Sequence, residues 1–283
     1  MKNVALIPNL IKDPELKTSL KLAKFLIDIG GNVYISDEFS AFIQDIPVSF
    51  FKKDISAIND LDFVITLGGD GTLLGVARVC SQNNIPVLGI NMGRVGFLAE
   101  LEVSQFDEIK KIFDGSYFIE NRMLLDIFVN DEKKYTVLND LYISGATKAH
   151  VAEMDLFLED KKIAHYRTDS LIFSTPTGST AYSLSAGGAV VDPELECICI
   201  TPACSHSIIN SRSLIFSAES IFNIKNISAR SDECYLYADG LEVFKLDIDD
   251  VVKIKKSNNS LKLIKILNRG FYDILFNKFY ERG

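Results

Sequence analysis

The sequence predicts an α/β domain with a parallel sheet, followed by a mostly antiparallel β-sandwich domain. Three observations carry that prediction. Strand-like and helix-like apolar runs alternate through about the first 100 residues, the pattern of parallel strands covered by helices. From Met123 to about Ile266 the apolar runs become short and β-rich, with turn signals between them. A last run, from Phe271 to Phe279, has helical spacing. The expected division is residues 1–118, residues 119–266, and a terminal helix within 267–283 whose packing on the first domain the pattern leaves open.

Val4 to Ile7 reads as the first strand. Asp13-Pro14 reads as a helix start, with Asp as cap and Pro at the first helical position. Leu16, Leu20, Ala23 and Ile27 then mark one apolar helical face, which Gly30-Gly31 ends. Residues 32–35, 62–67 and 85–90 supply further strands, and Leu73, Leu74, Val76, Ala77 and Val79 suit a helix ending near Cys80. Ser104 to Phe113 reads as the helix that closes this Rossmann-like half, with Phe106, Ile109 and Ile112 apolar and Gly115 after it. In the second half the predicted strands are 124–129, 135–143, 154–158, 171–175, 197–201, 234–238, 241–246 and 251–254. Asn130-Asp131 and Asp239-Gly240 are hairpin-turn signals.

The bulk numbers narrow the function. A chain of 283 residues is long enough for two sizeable cores. A net charge of −8 advertises no basic face, so no nucleic-acid partner is expected. Pro8 and Asn9 break the N-terminal apolar run too early for a signal peptide. No apolar run approaches the roughly 20 residues that span a bilayer, so no membrane association is expected. Five scattered cysteines without a C-x-x-C pair fit a reduced, cytoplasmic compartment. Cys197 and Cys199 share a strand face but have no further ligands at zinc spacing, and His150, His165 and His206 fit no metal pattern.

Three stretches have the composition of a site. The first is Gly68-Gly69-Asp70-Gly71-Thr72, between the strand at 63–65 and the following helix. Glycines there let backbone N–H groups approach an anion at a helix N-terminus. A carboxylate in such a turn would repel phosphate unless a metal ion or a reacting proton justifies it. The bland alternative is a tight turn with Asp70 as helix cap. No Gly-Lys pair occurs in the chain, so the P-loop pattern is absent. The second stretch runs from Arg167 and Asp169 through a buried strand into Thr177, Thr180, Ala181, Tyr182 and Gly188. Hydroxyls and small residues around one tyrosine suit close backbone approach to a ligand, with a solvated linker as the bland reading. The third is Asn139-Asp140 inside an apolar run, which a strand end, a bulge or a sugar-hydroxyl site would each explain. No G-x-S-x-G elbow occurs.

Together these stretches resemble the ATP-NAD kinases. The resemblance rests on G-G-D-G-T at 68–72, G-I-N-M-G-R-V-G-F-L at 89–98, N-D at 139–140 and S-T-P-T-G-S-T-A-Y-S-L-S-A-G-G at 174–188, in order across nearly the whole chain. The last is highly specific, whereas diacylglycerol kinases and phosphofructokinases carry similar glycine turns. Ser170, Ala189, Ser213 and Leu241 depart from residues usual in the family. The resemblance implies phosphoryl transfer from ATP, or polyphosphate, to the 2′-hydroxyl of the adenosine ribose of NAD. A lipid or sugar kinase and a non-catalytic NAD(H) sensor are the alternatives. It further implies Asp70 as the base, Mg²⁺ or another divalent cation accompanying ATP, no prosthetic group, and a homodimer or homotetramer. Its implied nucleotide-binding residues are Gly68, Gly69, Gly71, Thr72, Phe97, Asn139, Asp140, His150, Arg167, Asp169, Thr177, Thr180, Ala181, Tyr182, Ser183, Leu184 and Ser185. Among these, Asn139 and Asp140 hold ribose hydroxyls, Thr180, Ala181 and Tyr182 line the base pocket, Asp169 and Thr177 meet polar edges of NAD, and Phe97 is an apolar wall.

Overall fold

Two units make up the chain in the computed structural model, Met1–Asn121 with Leu261–Gly283, and Arg122–Ser260. Residues 44, 53, 94–95, 146–150, 207–210, 229–232, 268 and 281–283, and the side chains of 279–280, lie outside the described part of the structure. The chain changes units inside two long strands, β7 (Phe118–Val129) and β18 (Val251–Lys265), and not in loops.

The first unit is a parallel sheet. Strand β1 (Lys2–Pro8) lies between β2 (Gly31–Ser36) and β4 (Phe63–Gly68); β3 (Ser49–Phe51) extends it beyond β2, and β5 (Val87–Asn91) beyond β4. The short β6 (Leu101–Glu102) pairs with β5, and Leu263 near the end of β18 pairs with Val87. Every residue of β4 and β5 is buried, as continuous apolar strands in a helix-covered sheet require. Helix α1 (Lys17–Asp28) buries Leu22, Ala23 and Leu26, and Gly30 follows it at φ 91, the left-handed position that ends a helix.

Two helix starts differ from expectation. Asp13 is not the cap residue of α1, because Leu16 occupies that position at φ 54. The buried Asp13 carboxylate instead reaches forward to the first turn, accepting from Thr18 N at 3.2 Å, Ser19 N at 2.8 Å and Ser19 Oγ at 2.7 Å. The predicted helix at 104–113 is mostly 3₁₀, from Val103 to Ile109 with a break at Gln105, before the single turn α3 (Lys110–Phe113). Its apolar residues recur every three positions, and that is the 3₁₀ period; Phe106, Ile109 and Ile112 are all buried.

The second unit is an antiparallel sandwich. One layer runs β11 (Lys161–Thr168), β10 (Ala152–Leu158), β15 (Phe222–Asn226) and β18. The other runs β14 (Leu214–Ser217), β13 (Cys197–Ala203), β12 (Ser170–Ser174), β9 (Asp140–Gly145), β16 (Cys234–Ala238) and β17 (Leu241–Leu246). One core joins the layers, with Met154, Leu156, Phe222 and Ile254 from the first and Ile143, Phe173, Ile200 and Leu236 from the second. Strand β7 folds back on β8 (Glu132–Val137) through Asn130 and Asp131, both at positive φ, as a tight hairpin requires. The predicted strand at 135–143 is broken between β8 and β9, at Leu138 and Asn139. Strands β11, β14 and β15 escaped prediction; β11 carries Lys, His and Arg on an exposed face, the composition of a protected sheet edge.

Helix α2 (Asp70–Gln82) follows β4, and helix α5 (Phe271–Tyr280) belongs to the first unit. Ahead of α5, the buried Glu100 accepts from Ile266 N and Leu267 N and pairs with the buried Lys265. Removing one member of a buried ion pair leaves the other charge uncompensated. Glu100→Leu is therefore expected to lower unfolding stability by about 3–5 kcal/mol in urea titration. A loss below about 1 kcal/mol would show that the pair does not hold this segment.

Candidate active site

The glycine turn sits where a parallel sheet presents the carboxyl end of a strand and the start of a helix. Gly68 has no room for a side chain, since a Cβ would stand 2.2 Å from Thr72 Oγ1 and 2.9 Å from Asn9 Cβ. The Thr72 hydroxyl accepts from Asn9 Nδ2 at 2.9 Å and from Gly69 N at 3.4 Å, which ties the turn to the loop after β1. Gly68 O accepts from Met92 N at 2.7 Å and from Lys12 Nζ at 3.1 Å. Gly71 faces open space.

Asp70 is the first residue of α2 and does not cap it. Its half-buried carboxylate turns to the neighbouring loop, where Oδ2 accepts from Phe97 N at 2.8 Å and Oδ1 from Leu98 N at 3.2 Å. Gly96 makes that approach possible, because a Cβ there would lie 1.9 Å from Asp70 Oδ1. Phe97 itself packs on Phe271, ring centroids 6.0 Å apart, with the Lys278 ammonium 4.1 Å from its ring centroid.

In the second unit the hydroxyl-rich stretch is packed, and the linker reading falls. It folds into a 3₁₀ turn at Thr177–Thr180 and the short helix α4 (Tyr182–Ser185), with Thr175, Thr177, Ser179 and Ser183 buried. Thr175 Oγ1 donates to Leu138 O at 2.6 Å and accepts from Gly178 N at 3.0 Å. A Cβ on Gly178 would stand 1.9 Å from Asn139 O. Asn139-Asp140 is thus a strand junction gripped from one side by 175–178. From the other side the Asp239 carboxylate accepts from Leu138 N at 2.9 Å, Asn139 N at 2.8 Å and Asp140 N at 3.3 Å. Asp140 is buried and accepts from Tyr182 N at 3.3 Å. Burial, and then the Asp239 charge, push its carboxyl up to about 7 from 3.8. Burial also raises Asp239, against its three backbone donors. The Tyr182 ring, 38% exposed, meets the edge of Tyr142 at 4.8 Å, and Tyr142 stacks on Tyr237 at 4.7 Å.

The other expected residues scatter around these groups. Thr177 Oγ1 accepts from Arg122 at 3.2 Å, and Thr180 Oγ1 donates to Thr177 O at 3.2 Å. Ser183 Oγ and Thr201 Oγ1 are 3.0 Å apart, Ala181 and Leu184 are half-buried, and Ser185 is exposed. Arg167 is exposed and pairs with Glu153 at 2.8 Å. Asp169 is exposed and accepts from the Cys204 thiol, which it holds above its usual range. His150 lies outside the described residues. Sequence reasoning missed Asn9, Lys12 and Tyr142, held Gly96 only as part of the 89–98 motif, and read Asp239 only as a hairpin residue.

A strand–glycine turn–helix holding an anchored carboxylate, on a chain with a second, hydroxyl-lined unit, defines a nucleotide-handling phosphotransferase. Known proteins agree. The chain matches the ATP-NAD kinase N-terminal domain over residues 4–117 and the ATP-NAD kinase C-terminal domain over residues 138–266. It is 38% identical to the NAD kinase of Caldanaerobacter subterraneus subsp. tengcongensis, over 100% of both chains. It is 35% identical to that of Clostridium perfringens, over 99% of each. Its fold is similar to a yeast NADH kinase solved with NADH (TM-score 0.87, 22% identity, 99% of this chain and 88% of that one). An Archaeoglobus fulgidus NAD kinase solved with ATP gives a TM-score of 0.74 at 23% identity, over 99% of this chain and 100% of that one. The chain belongs to the ATP-NAD kinase family, and its activity is phosphoryl transfer to NAD.

Asp140 makes stability depend on pH with an unusual sign. A carboxyl whose pKa rises on folding binds its proton more tightly in the folded state, so its own contribution to stability is fully present below about pH 4 and is lost as pH rises to about 7. Asp140→Asn is expected to be more stable than the parent protein above pH 7, with a flatter profile between those limits, in urea titrations across pH. An unchanged profile would remove the burial cost assigned to this carboxyl.

Proposed function

We propose that Asp70 is the general base that takes the proton from the 2′-hydroxyl of the adenosine ribose while the phosphoryl group of ATP is transferred to it. The observation that carries this reading is the pair of amides, Phe97 N and Leu98 N, that hold the Asp70 carboxylate at the mouth of a glycine turn. A sugar alcohol is a weak nucleophile at neutral pH, and a positioned base contributes about 10²–10⁴-fold. Phosphoryl transfer otherwise needs little but alignment and stabilised charge. Gly68, Gly69, Gly71 and Thr72 form the turn that faces the donor's phosphates.

In the second unit, Asn139 and Asp140 hold ribose hydroxyls. The clamp by Asp239 and the 175–178 turn supports this, because it fixes both residues before a ligand arrives. Tyr182, backed by Tyr142 and Tyr237, supplies a ring for a base, with Thr180 and Ala181 beside it. Asp169 and Thr177 meet polar edges of NAD, Phe97 is an apolar wall, and Ser183, Leu184 and Ser185 complete the pocket.

Among the described residues no group of three or more His, Cys, Asp or Glu side chains could hold a metal ion. The divalent cation is read as arriving with the substrate, as the complex of Mg²⁺ with ATP, the way Mg²⁺ is commonly held through substrate phosphates. ATP is the proposed donor, with polyphosphate the alternative. No helix among the described residues is long and apolar enough to cross a membrane. Five free cysteines support a cytoplasmic location, and family membership supports a homodimer or homotetramer.

Asp70→Asn is expected to cut kcat by about 10²–10⁴-fold in a coupled assay with NAD, ATP and Mg²⁺, while KM for NAD changes by less than about 3-fold. Equal losses in both constants would reduce Asp70 to a residue that shapes the turn.

A further inference from the structure

The loop after β1 brings a cation to the glycine turn from far away in the sequence. Lys12 Nζ lies 3.1 Å from Gly68 O, a separation of 56 residues along the chain. It also hangs over the turn itself, 2.9 Å from where a Cβ on Gly69 would stand and 3.8 Å from that of Gly93. Gly68 O already accepts from Met92 N at 2.7 Å, so the carbonyl does not need the ammonium. An ammonium has three donors, and among the described residues Lys12 makes no ion pair.

Its position is built, even though the side chain is exposed. Asn9 Oδ1 accepts from Ile11 N at 3.0 Å and Lys12 N at 3.2 Å, which folds the loop tightly. Asn9 N donates to Leu67 O at 3.0 Å and Asn9 Nδ2 to Thr72 Oγ1 at 2.9 Å, which fastens that loop to the turn. Electrostatics makes the placement informative. A helix N-terminus carries partial positive charge, and a cation is disfavoured beside it. A lysine gathered onto the start of α2, at a cost in rotamer freedom, makes sense where an anion is to bind.

We propose that Lys12 is a catalytic residue that binds the terminal phosphates of the donor, the role a P-loop gives to the lysine next to its glycines. The inference rests on the phosphoryl-transfer reading above. As the 2′-oxygen forms its bond to the γ-phosphorus, the bond from that phosphorus to the β–γ bridging oxygen breaks. The hydroxyl proton passes to Asp70, the bonding electrons leave with ADP, and the Lys12 charge faces the oxygens that gain negative charge.

Steady-state kinetics of the parent protein, Lys12→Met, Lys12→Gln and Lys12→Arg test this, together with calorimetric binding of inorganic tripolyphosphate. Lys12→Met and Lys12→Gln should raise KM for ATP about 10-fold or more and lower kcat about 10- to 100-fold, leaving KM for NAD within about 2-fold. Lys12→Arg should recover most of the loss, and tripolyphosphate affinity should fall in parallel in the Met and Gln proteins. Lys12→Gln with parent kinetics would overturn the assignment, because it keeps a donor for Gly68 O without the charge. Equal tripolyphosphate affinity in parent and Lys12→Met would overturn it too, whatever the turnover. A parent protein that binds tripolyphosphate through Lys12 yet fails to phosphorylate NAD would sink the phosphoryl-transfer reading and leave the phosphate contact standing.

Discussion

The structure of the first unit turns on one carboxylate and two backbone amides. Asp70 enters a turn whose other groups favour anions, and in that setting an unrestrained carboxylate would compete with any anion brought there. Phe97 N and Leu98 N remove that freedom by engaging one oxygen each. The requirement then propagates outward. Gly96 must lack a side chain, and the loop after β5 must start level with the turn, as the Gly68–Asn91 register and the Met92 N bond to Gly68 O ensure. Beyond Leu98, Glu100 binds the segment that leads to α5, and Phe271 of that helix covers Phe97. Each of these contacts fixes where the loop amides point.

The second unit solves a related problem at a different cost. Two carboxyl groups lie near one another, Asp140 buried and Asp239 half-buried, and desolvation raises both. Asp239 is compensated by three amides in a row, and so acts as a clamp on the strand junction. Among the described residues Asp140 accepts from Tyr182 N alone, at 3.3 Å, which leaves it less compensated than Asp239. A buried acceptor with few donors costs stability, and the proposed ribose hydroxyls would supply the donors it lacks. That trade is common where a site must be formed before its ligand binds.

What the sequence disclosed and what it withheld separate along a physical line. Local chemistry was legible: left-handed residues at Gly30, Asn130-Asp131 and Asp239-Gly240, the all-apolar strands β4 and β5, and the glycine turn itself. The three-residue spacing of Phe106, Ile109 and Ile112 was present too, although it denotes 3₁₀ and was taken for an α period. Long-range contacts were not legible. Asp239 meets Leu138 across 101 residues and Lys12 meets Gly68 across 56, and neither pairing leaves a trace in local pattern. The polar middle of β18 and the charged edge β11 hid strands whose stability comes from pairing and not from composition. Of the nucleotide-binding candidates, Thr177 and Ser183 are buried and bonded within their own unit, to Arg122 and Thr201, contacts that no local pattern announced.

A crystal structure with NAD and a non-hydrolysable ATP analogue tests the central claim most directly. An Asp70 carboxylate oxygen is expected within about 2.6–3.2 Å of the adenosine 2′-oxygen, or joined to it by one water, with the Phe97 and Leu98 amides still engaged. A carboxylate too far for a single water to bridge, or turned toward packed side chains with the ribose bound elsewhere, would contradict it.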